Sequence, residues 1–528
     1  MTGQPGYTGT ITRLLAAAAA RDPDGVWLRT DALTLTFGQA ASAVAGIAGA
    51  LGSAGLRRGD LVLMTARTTP PYLLCWLGLA AMGAVTVPVN PRSAPAELTG
   101  IARQVMPRAL ISDGGLAPLV DAAGLGLPEL GVLDAEALLR GALAAAEPAG
   151  LPDVAGPDDL AVLIPTSGTT GRSKLVMQTH RAYAMAGEGF PFWMELTAAD
   201  RLMTSLPLFH INAPAYSVMG SLACGAGLVL LPRFSASGFL DAARRHGATE
   251  FNAIGAMLEI LMRQPPSFGD ADNPLRLCYT GPAPERERQL EIERRFGLRI
   301  VAGYAMSESP YGLIWPRGTR PYGTLGAARQ HPVLGTVNEA RVVGPDGRVL
   351  GPGETGEMQL RNPVVTPGYW GMPEETAALF DEGWLRTGDL VTVSGDGTYT
   401  FVARQKEVLR RRGENLSPAE VEQVLQAHPA VLECAVVGVP SELSEDDVKA
   451  FVVAAGGSVD FAELRAFAAA RLAAFKVPRY WQLIEELPRT PTARVAKHKL
   501  PAGHPPGEYD AEPGNGSTHR HPPPTPHR

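Results

Sequence analysis

The ten residues PTSGTTGRSK, 165–174, hold the densest run of groups in the chain that could bind phosphate. Thr166, Ser167, Gly168, Thr169, Thr170 and Gly171 are small or carry hydroxyls, and Lys174 closes the run. Glycines let a backbone approach phosphate oxygens, successive N–H groups make a nest for an anion, and a lysine adds a mobile charge. The glycines stand three apart, so this is not the GxxxxGK[ST] loop of P-loop NTPases. A second basic run, LPRTPTARVAKHKL at 487–500, gathers Arg494, Lys497, His498 and Lys499. Only six of the 47 Lys and Arg are lysine (Lys174, Lys406, Lys449, Lys476, Lys497, Lys499), so each survivor invites a role.

These groups need elements to hold them. The strand-like runs LTLTF, DLVLMTA, AVTVPV and RALIS alternate with helix-like stretches at 38–52, 71–83 and 96–106. The alternation resumes with AVLIP, GLVLL, EFNAIG and LRLCYTG. Repeated strand-then-helix predicts parallel sheets with helices on their faces, here as two α/β subdomains. Between 340 and 400 short strands separated by Gly-rich turns predict a distorted antiparallel β-barrel. From about 404 a helix, two strands and a helix predict a small α+β C-terminal domain. The expected division is 1–403, 404–502 and a disordered Pro/Gly/His-rich tail, 503–528, whose histidines read as solvated rather than metal-binding.

Composition narrows the function. A chain of 528 residues should hold at least two domains. Its 53 Asp and Glu outnumber 47 Lys and Arg, a net charge of −6 that excludes a nucleic-acid binder working by counterion release. Cys75, Cys224, Cys278 and Cys434 form no CxxC pair, which argues against a disulfide framework or zinc site and fits a cytoplasmic protein. The run LLAAAAA at 14–20 lacks the flanks of a signal peptide, and no stretch has the length of a membrane span.

Further motifs follow in order: LPLFHINA (206–213), YTGPAP (279–284), GYAMSES (303–309), WLRTGDL (384–390) and ARQKEVLRRRGENLSPAEVE (403–422). With PTSGTTGRSK they resemble the adenylate-forming superfamily of acyl-CoA synthetases, luciferases and peptide-synthetase adenylation domains, over roughly residues 10–500. The resemblance implies a nucleotide site of Thr166–Gly171, Lys174, Gly281, Pro282, Ala283, Gly303, Tyr304, Ala305, Met306, Ser307, Asp389 and Arg404. Asp389 would take the ribose hydroxyls, although alone it reads more readily as a turn aspartate capping backbone N–H groups. Tyr304 would stack on adenine or be a core tyrosine. Glu308 would bind Mg²⁺ with phosphate oxygens, since that ion prefers one or two carboxylates plus substrate. His210 would border an acyl pocket with Ile211, Asn212, Ala256 and Tyr311, joined by Gly303 and Gly312. Lys406 falls at the hinge about which the C-terminal domain swings, and Arg410, Gly413 and Asn415 fall on the coenzyme A side.

The implied reaction has two steps. A carboxylate attacks the α-phosphorus of ATP to give an acyl-AMP and pyrophosphate; a thiol then takes the acyl group and AMP leaves. The family's closing motif resembles PKTxTGKIxR, and here Ala493 stands for its glycine and Arg494 for its lysine. Three readings follow: Arg494 does the lysine's work, Lys497 replaces it from one turn later, or adenylation is slow or lost. The Arg bias of the chain favours the first, though Arg and Lys differ in shape and reach. The leading expectation is an AMP-forming carboxylate–CoA ligase using ATP, Mg²⁺ and coenzyme A on a small carboxylic acid, as a monomer or homodimer. A second is an adenylating enzyme of secondary metabolism that serves a separate carrier protein or an amine. A third is a catalytically weak nucleotide- or acyl-binding protein.

Overall fold

The computed structural model describes residues 7–124, 129–145, 150–166, 173–281, 283–407, 409–411, 414–440, 446–489 and 495–512. Contacts divide the chain into two units: Met1–Thr387 with Val391–Phe401, and Gly388–Leu390 with Val402–Arg528.

The first unit is α/β. In its six-stranded sheet the order is Val132–Asp134, Ala109–Ser112, Leu61–Thr65, Val85–Pro88, Leu160–Thr166 and Lys174–Thr179. All neighbours are parallel except the last pair, a hairpin. The nine-stranded sheet runs Ala327–Ala328, Ser309–Ile314, Arg299–Met306, Leu277–Thr280, Glu250–Asn252, Arg201–Thr204, Gly227–Leu230, Val26–Arg29, Thr34–Thr36. Its middle six strands are parallel. The helices begin where local chemistry says they should. Thr36 and Gln39 close a reciprocal capping box at the start of Phe37–Ser53, and Pro70 opens Pro70–Ala81, whose apolar circumference is buried. A five-stranded sheet with antiparallel pairs, built on Glu339–Val343, Thr355–Arg361, Phe380–Asp381 and Trp384–Val393, occupies the stretch read as barrel-like.

One core position sets a pH dependence. Glu250, 0 % exposed in a central strand, has no hydrogen-bond partner on either carboxylate oxygen among the described residues. Burial holds its carboxyl well above the usual range, Asp200 adds to this, and Arg276 only partly offsets it. The folded state therefore keeps a proton that the unfolded chain releases near pH 4.5, so the stability carried by the protonated form is complete below that pH and falls above it. Glu250→Gln is expected to denature later than wild type at pH 8. The gap should shrink on acidification and close near pH 4.5. Urea melts at four pH values check this; a gap independent of pH would contradict it.

The second unit is α+β. Its four-stranded sheet, Val431–Pro440, Asp446–Ala454, Tyr480–Leu483 and Tyr509–Asp510, packs with helices Pro418–Gln426 and Phe461–Ala469 around Val421, Leu425, Leu464 and Trp481. The chain stays folded past the expected end at 502, a correction to the reading of the tail. Tyr509–Asp510 pairs with Tyr480–Leu483, buried Lys449 meets Glu508 at 2.5 Å and donates to the Gly503 carbonyl at 2.9 Å, and Arg479 meets Asp510 at 3.0 Å. Composition pointed to disorder, but Glu508 pairs with buried Lys449, and Asp510 adds a second carboxylate to Arg479, which also meets Asp447 at 3.0 Å. Residues 513–528 lie outside the described residues.

Candidate active site

In the first unit the phosphate-loop candidate is held by the hairpin Leu160–Thr166/Lys174–Thr179. Thr166 and Lys174 are register partners, and the Thr166 hydroxyl donates to the Lys174 carbonyl at 3.3 Å. Ser167, Gly168, Thr169, Thr170 and Gly171 lie outside the described residues. The segment 366–370 docks along the strand that begins at Lys174. Met177 N–H donates to Gly368 O at 3.0 Å, Trp370 N–H to Leu175 O at 2.9 Å, and the Thr366 hydroxyl to Met177 O at 2.6 Å. Gly368 has φ +139°, and a Cβ there would overlap Thr376, so the turn demands glycine.

This docking aligns three groups. The Lys174 ammonium lies 4.4 Å from the Tyr369 ring centroid, and the Tyr369 hydroxyl donates to Glu308 Oε1 at 2.9 Å. Glu308 is fixed in turn, its carbonyl accepting from Thr366 N–H at 2.7 Å. Burial, and then the charge of Glu308, raise the Tyr369 phenol, so it remains a donor throughout the physiological range. Cation, phenol and carboxylate thus form one line beside the hairpin, from residues far apart in sequence. Thr366 and Tyr369 were missed in the sequence; the available signal was TPGYW, a Pro-Gly turn running into two aromatics.

The adenine-side candidates gather at one end of the nine-stranded sheet. Gly281 follows Leu277–Thr280 and is exposed, while Gly303 lies in Arg299–Met306. A Cβ on Gly281 would overlap the Gly303 carbonyl, and one on Gly312 would overlap the Tyr304 carbonyl. These backbones touch, which accounts for the motif glycines 281 and 303 and for Gly312 beyond them. Tyr304, Ala305, Met306, Ser307 and Ala283 are half-buried here; Pro282 lies outside the described residues. The Ser307 carbonyl accepts from Gln178 Nε2.

Of the acyl-side candidates, His210, Ile211 and Asn212 are half-buried, with the His210 ring edge-on to Phe209 at 4.5 Å. They lead into a π-helical turn, Ala213–Val218, an irregularity frequent at functional sites that the sequence reading did not foresee. Asn212 Oδ1 accepts from Asn252 Nδ2 at 2.8 Å. Asn252 was also missed, although an amide ending the buried strand EFN is a usable signal. Ala256 lies in the helix Gly255–Met262. Tyr311 is fully buried, its ring edge-on to Trp193 at 4.9 Å.

In the second unit Asp389 is 1 % exposed, and its Oδ1 lies 2.9 Å from Arg404 Nε, so the two ribose-side candidates face each other. Lys406 falls in the short turn Gln405–Glu407. Arg410 and Asn415 are register partners across the hairpin Leu409–Arg411/Glu414–Leu416; Gly413 lies outside the described residues, as does Arg494. The described flanks of 490–494 are pinned by the Arg489–Val495 bridge and by Ala496 N–H donating to Pro488 O at 2.7 Å. Lys497 is engaged by Glu422 at 2.9 Å and Glu407 at 3.3 Å. Burial lowers its pKa, but the two carboxylates outweigh it and the net shift is upward.

Residues 15–370 match the AMP-binding enzyme family and residues 420–494 match the AMP-binding enzyme C-terminal domain. The chain belongs to the AMP-binding enzyme family. Among its relatives, the sulfoacetate–CoA ligase of Cupriavidus necator is 33% identical over 94% of this chain and 98% of its own length. The feruloyl-CoA synthase of an Amycolatopsis species is 33% identical over 91% of this chain and 96% of its own. Among solved structures, ATP-bound MatB from Rhodopseudomonas palustris superposes with a TM-score of 0.81 at 27% identity, covering 92% of this chain and 97% of that one.

This AMP-binding enzyme is an AMP-forming carboxylate–CoA ligase that uses ATP and coenzyme A. No helix among its described residues is long and apolar enough to cross a membrane.

Proposed function

We propose that the line Lys174–Tyr369–Glu308 is the phosphate side of the adenylation site. Lys174 carries positive charge toward the phosphates of ATP, and Tyr369 holds both Lys174 and Glu308 in register. The observation that carries this reading is the packing of segment 366–370 on the strand that begins at Lys174. The donor set fits Mg²⁺ held by substrate: Glu308 is one carboxylate with one oxygen taken by a neutral phenol, and no cluster of three metal-binding side chains exists among the described residues. Bound there with phosphate oxygens, Mg²⁺ would neutralise charge on the leaving pyrophosphate.

In this reading Tyr304 and the close-packed glycines 281, 303 and 312 border adenine, Asp389 and Arg404 take the ribose, and Arg494 supplies the cation at the carboxylate. Positioning and charge stabilisation supply the rate. The substrate is a small carboxylic acid and the acceptor the thiol of coenzyme A. Sulfoacetate and feruloyl, the acyl groups in the relatives' names, differ in charge and size, so the class of acid must come from this chain's own residues.

The test is pyrophosphate exchange into ATP over aliphatic, aryl and amino acids, followed by AMP release with and without coenzyme A. Exchange dependent on one class of acid, with AMP release accelerated by coenzyme A, is the expected result. Exchange without that acceleration would replace coenzyme A with a carrier-protein thiol or an amine, and no exchange with any acid would contradict the ligase reading.

A further inference from the structure

Arg329 is 0 % exposed, yet among the described residues no carboxylate lies within ion-pair distance of its guanidinium. Its partners are all neutral. Nε donates to Leu313 O at 2.9 Å; Nη1 donates to the Tyr216 hydroxyl at 2.9 Å and to Pro310 O at 3.3 Å; Nη2 donates to the Tyr279 hydroxyl. The rings of Trp193, Tyr216 and Tyr279 surround it, with centroids at 4.9, 5.1 and 5.5 Å. Rings and hydroxyls orient a guanidinium but do not neutralise it, and a cation taken out of water without a counter-ion is a cost that folding alone does not explain. Counting hydrogens, Nε uses one and Nη1 both, while Nη2 keeps one N–H beyond its bond to Tyr279.

The surroundings say what that cation is for. A Cβ on Gly303 would come within 2.8 Å of Arg329 Nη2 and 2.9 Å of the Tyr279 ring, so the guanidinium lies against Gly303, which stands among both the nucleotide-site and the acyl-pocket candidates of the sequence. Gly303 also touches exposed Gly281 through its carbonyl. Tyr216 stands four residues after Asn212 on the π-helical turn, and Asn212 binds Asn252, the register neighbour of Tyr279 in the sheet. Asn252 is 1 % exposed, and its Oδ1 has no hydrogen-bond partner among the described residues. A strip of polar side chains thus links Asn212 to Asn252 by a hydrogen bond, Asn252 to Tyr279 by strand register, and Tyr279 to Arg329 by a hydrogen bond.

We propose that this strip reads the far end of the acid and that Arg329 selects short acids carrying a second anionic group, a carboxylate or a sulfonate. The inference rests on the ligase reading above and adds the substrate class to it. An apolar acyl chain would bring no counter-charge to the guanidinium; a second anion supplies a charge-assisted bond to it.

The test uses the full-length enzyme with acids matched in skeleton: propionate against malonate, butyrate against succinate, benzoate against 3-carboxybenzoate, and propionate against 3-sulfopropionate. Wild type is expected to prefer the anionic member of at least one pair by tenfold or more in kcat/KM for pyrophosphate exchange. Arg329→Gln is expected to bring that ratio within threefold of parity, chiefly by raising KM for the anionic acid, and Arg329→Lys to restore part of it. The ratio within one variant is insensitive to how much enzyme folds, and the wild-type panel decides even if Arg329→Gln does not fold. Preference for the neutral member in every pair, or an unchanged ratio in a folded Arg329→Gln, would overturn the proposal while leaving the ligase reading standing. Absence of exchange with all seven acids would overturn the ligase reading and this proposal together.

Discussion

Arg494→Ala is expected to cut pyrophosphate exchange by about a hundredfold to a thousandfold, the usual cost of removing one charge-stabilising donor at a developing anion. The same variant, given a preformed acyl-AMP, should transfer the acyl group to coenzyme A at close to the wild-type rate. The expectation comes from what the other cations of LPRTPTARVAKHKL are doing. Arg489 is tied to Glu433. Lys497 sits between Glu422 at 2.9 Å and Glu407 at 3.3 Å, its side chain only 22 % exposed, so its charge is already compensated within its own domain. Freeing it would strand two carboxylates, one of them half-buried, whereas Arg494 holds the motif position of the family lysine. Arg494→Lys should keep most of the exchange activity; Lys497→Ala should lower the stability of the second unit more than it lowers exchange. Exchange surviving in Arg494→Ala but lost in a folded Lys497→Ala would move the role to Lys497.

The second large effect is expected at Asp389. Asp389→Ala should raise KM for ATP about tenfold to a hundredfold for each ribose hydroxyl whose bond is lost, because bonds to a charged acceptor contribute about 1.5–3 kcal/mol. KM for the acid should move far less. The loss of the 2.9 Å pair with Arg404 adds little to stability, since the Arg404 side chain is 46% exposed and solvent screens its charge. Steady-state kinetics with ATP varied at saturating acid checks this. An unchanged KM for ATP would mean that Asp389 only holds Arg404, the turn-aspartate role that its sequence context alone allows.

The parallel sheets were legible because a period-2 apolar run followed by a helical run repeats many times, and the six motifs were legible because each is local. Thr166 and Lys174 bracket a hairpin as their flanking strands require. What the sequence hid is non-local. Tyr369 meets Lys174 only because residues 366–370 lie along another strand, and nothing in TPGYW names that strand. Arg329 and Glu250 are fully buried, against the strong tendency of charged residues to be exposed, so no pattern argument would select them. The tail was misjudged because Pro, Gly and His dominate its composition, whereas Lys449 and Arg479 decide its first ten residues by offering ion pairs to Glu508 and Asp510. The scarcity of lysine was informative in an unplanned way: Lys449, Lys476 and Lys497 all stand in ion pairs of the second unit, where a compact ammonium is clasped by carboxylates.

The central claim is that the acid is activated as an acyl-adenylate before coenzyme A takes it. The most direct measurement supplies an accepted acid labelled with ¹⁸O in both carboxylate oxygens, together with ATP and coenzyme A, and reads the products by mass spectrometry. Attack of the carboxylate on the α-phosphorus predicts one ¹⁸O in each AMP and none in pyrophosphate. Unlabelled AMP, or ¹⁸O in inorganic phosphate accompanied by ADP, would contradict the account.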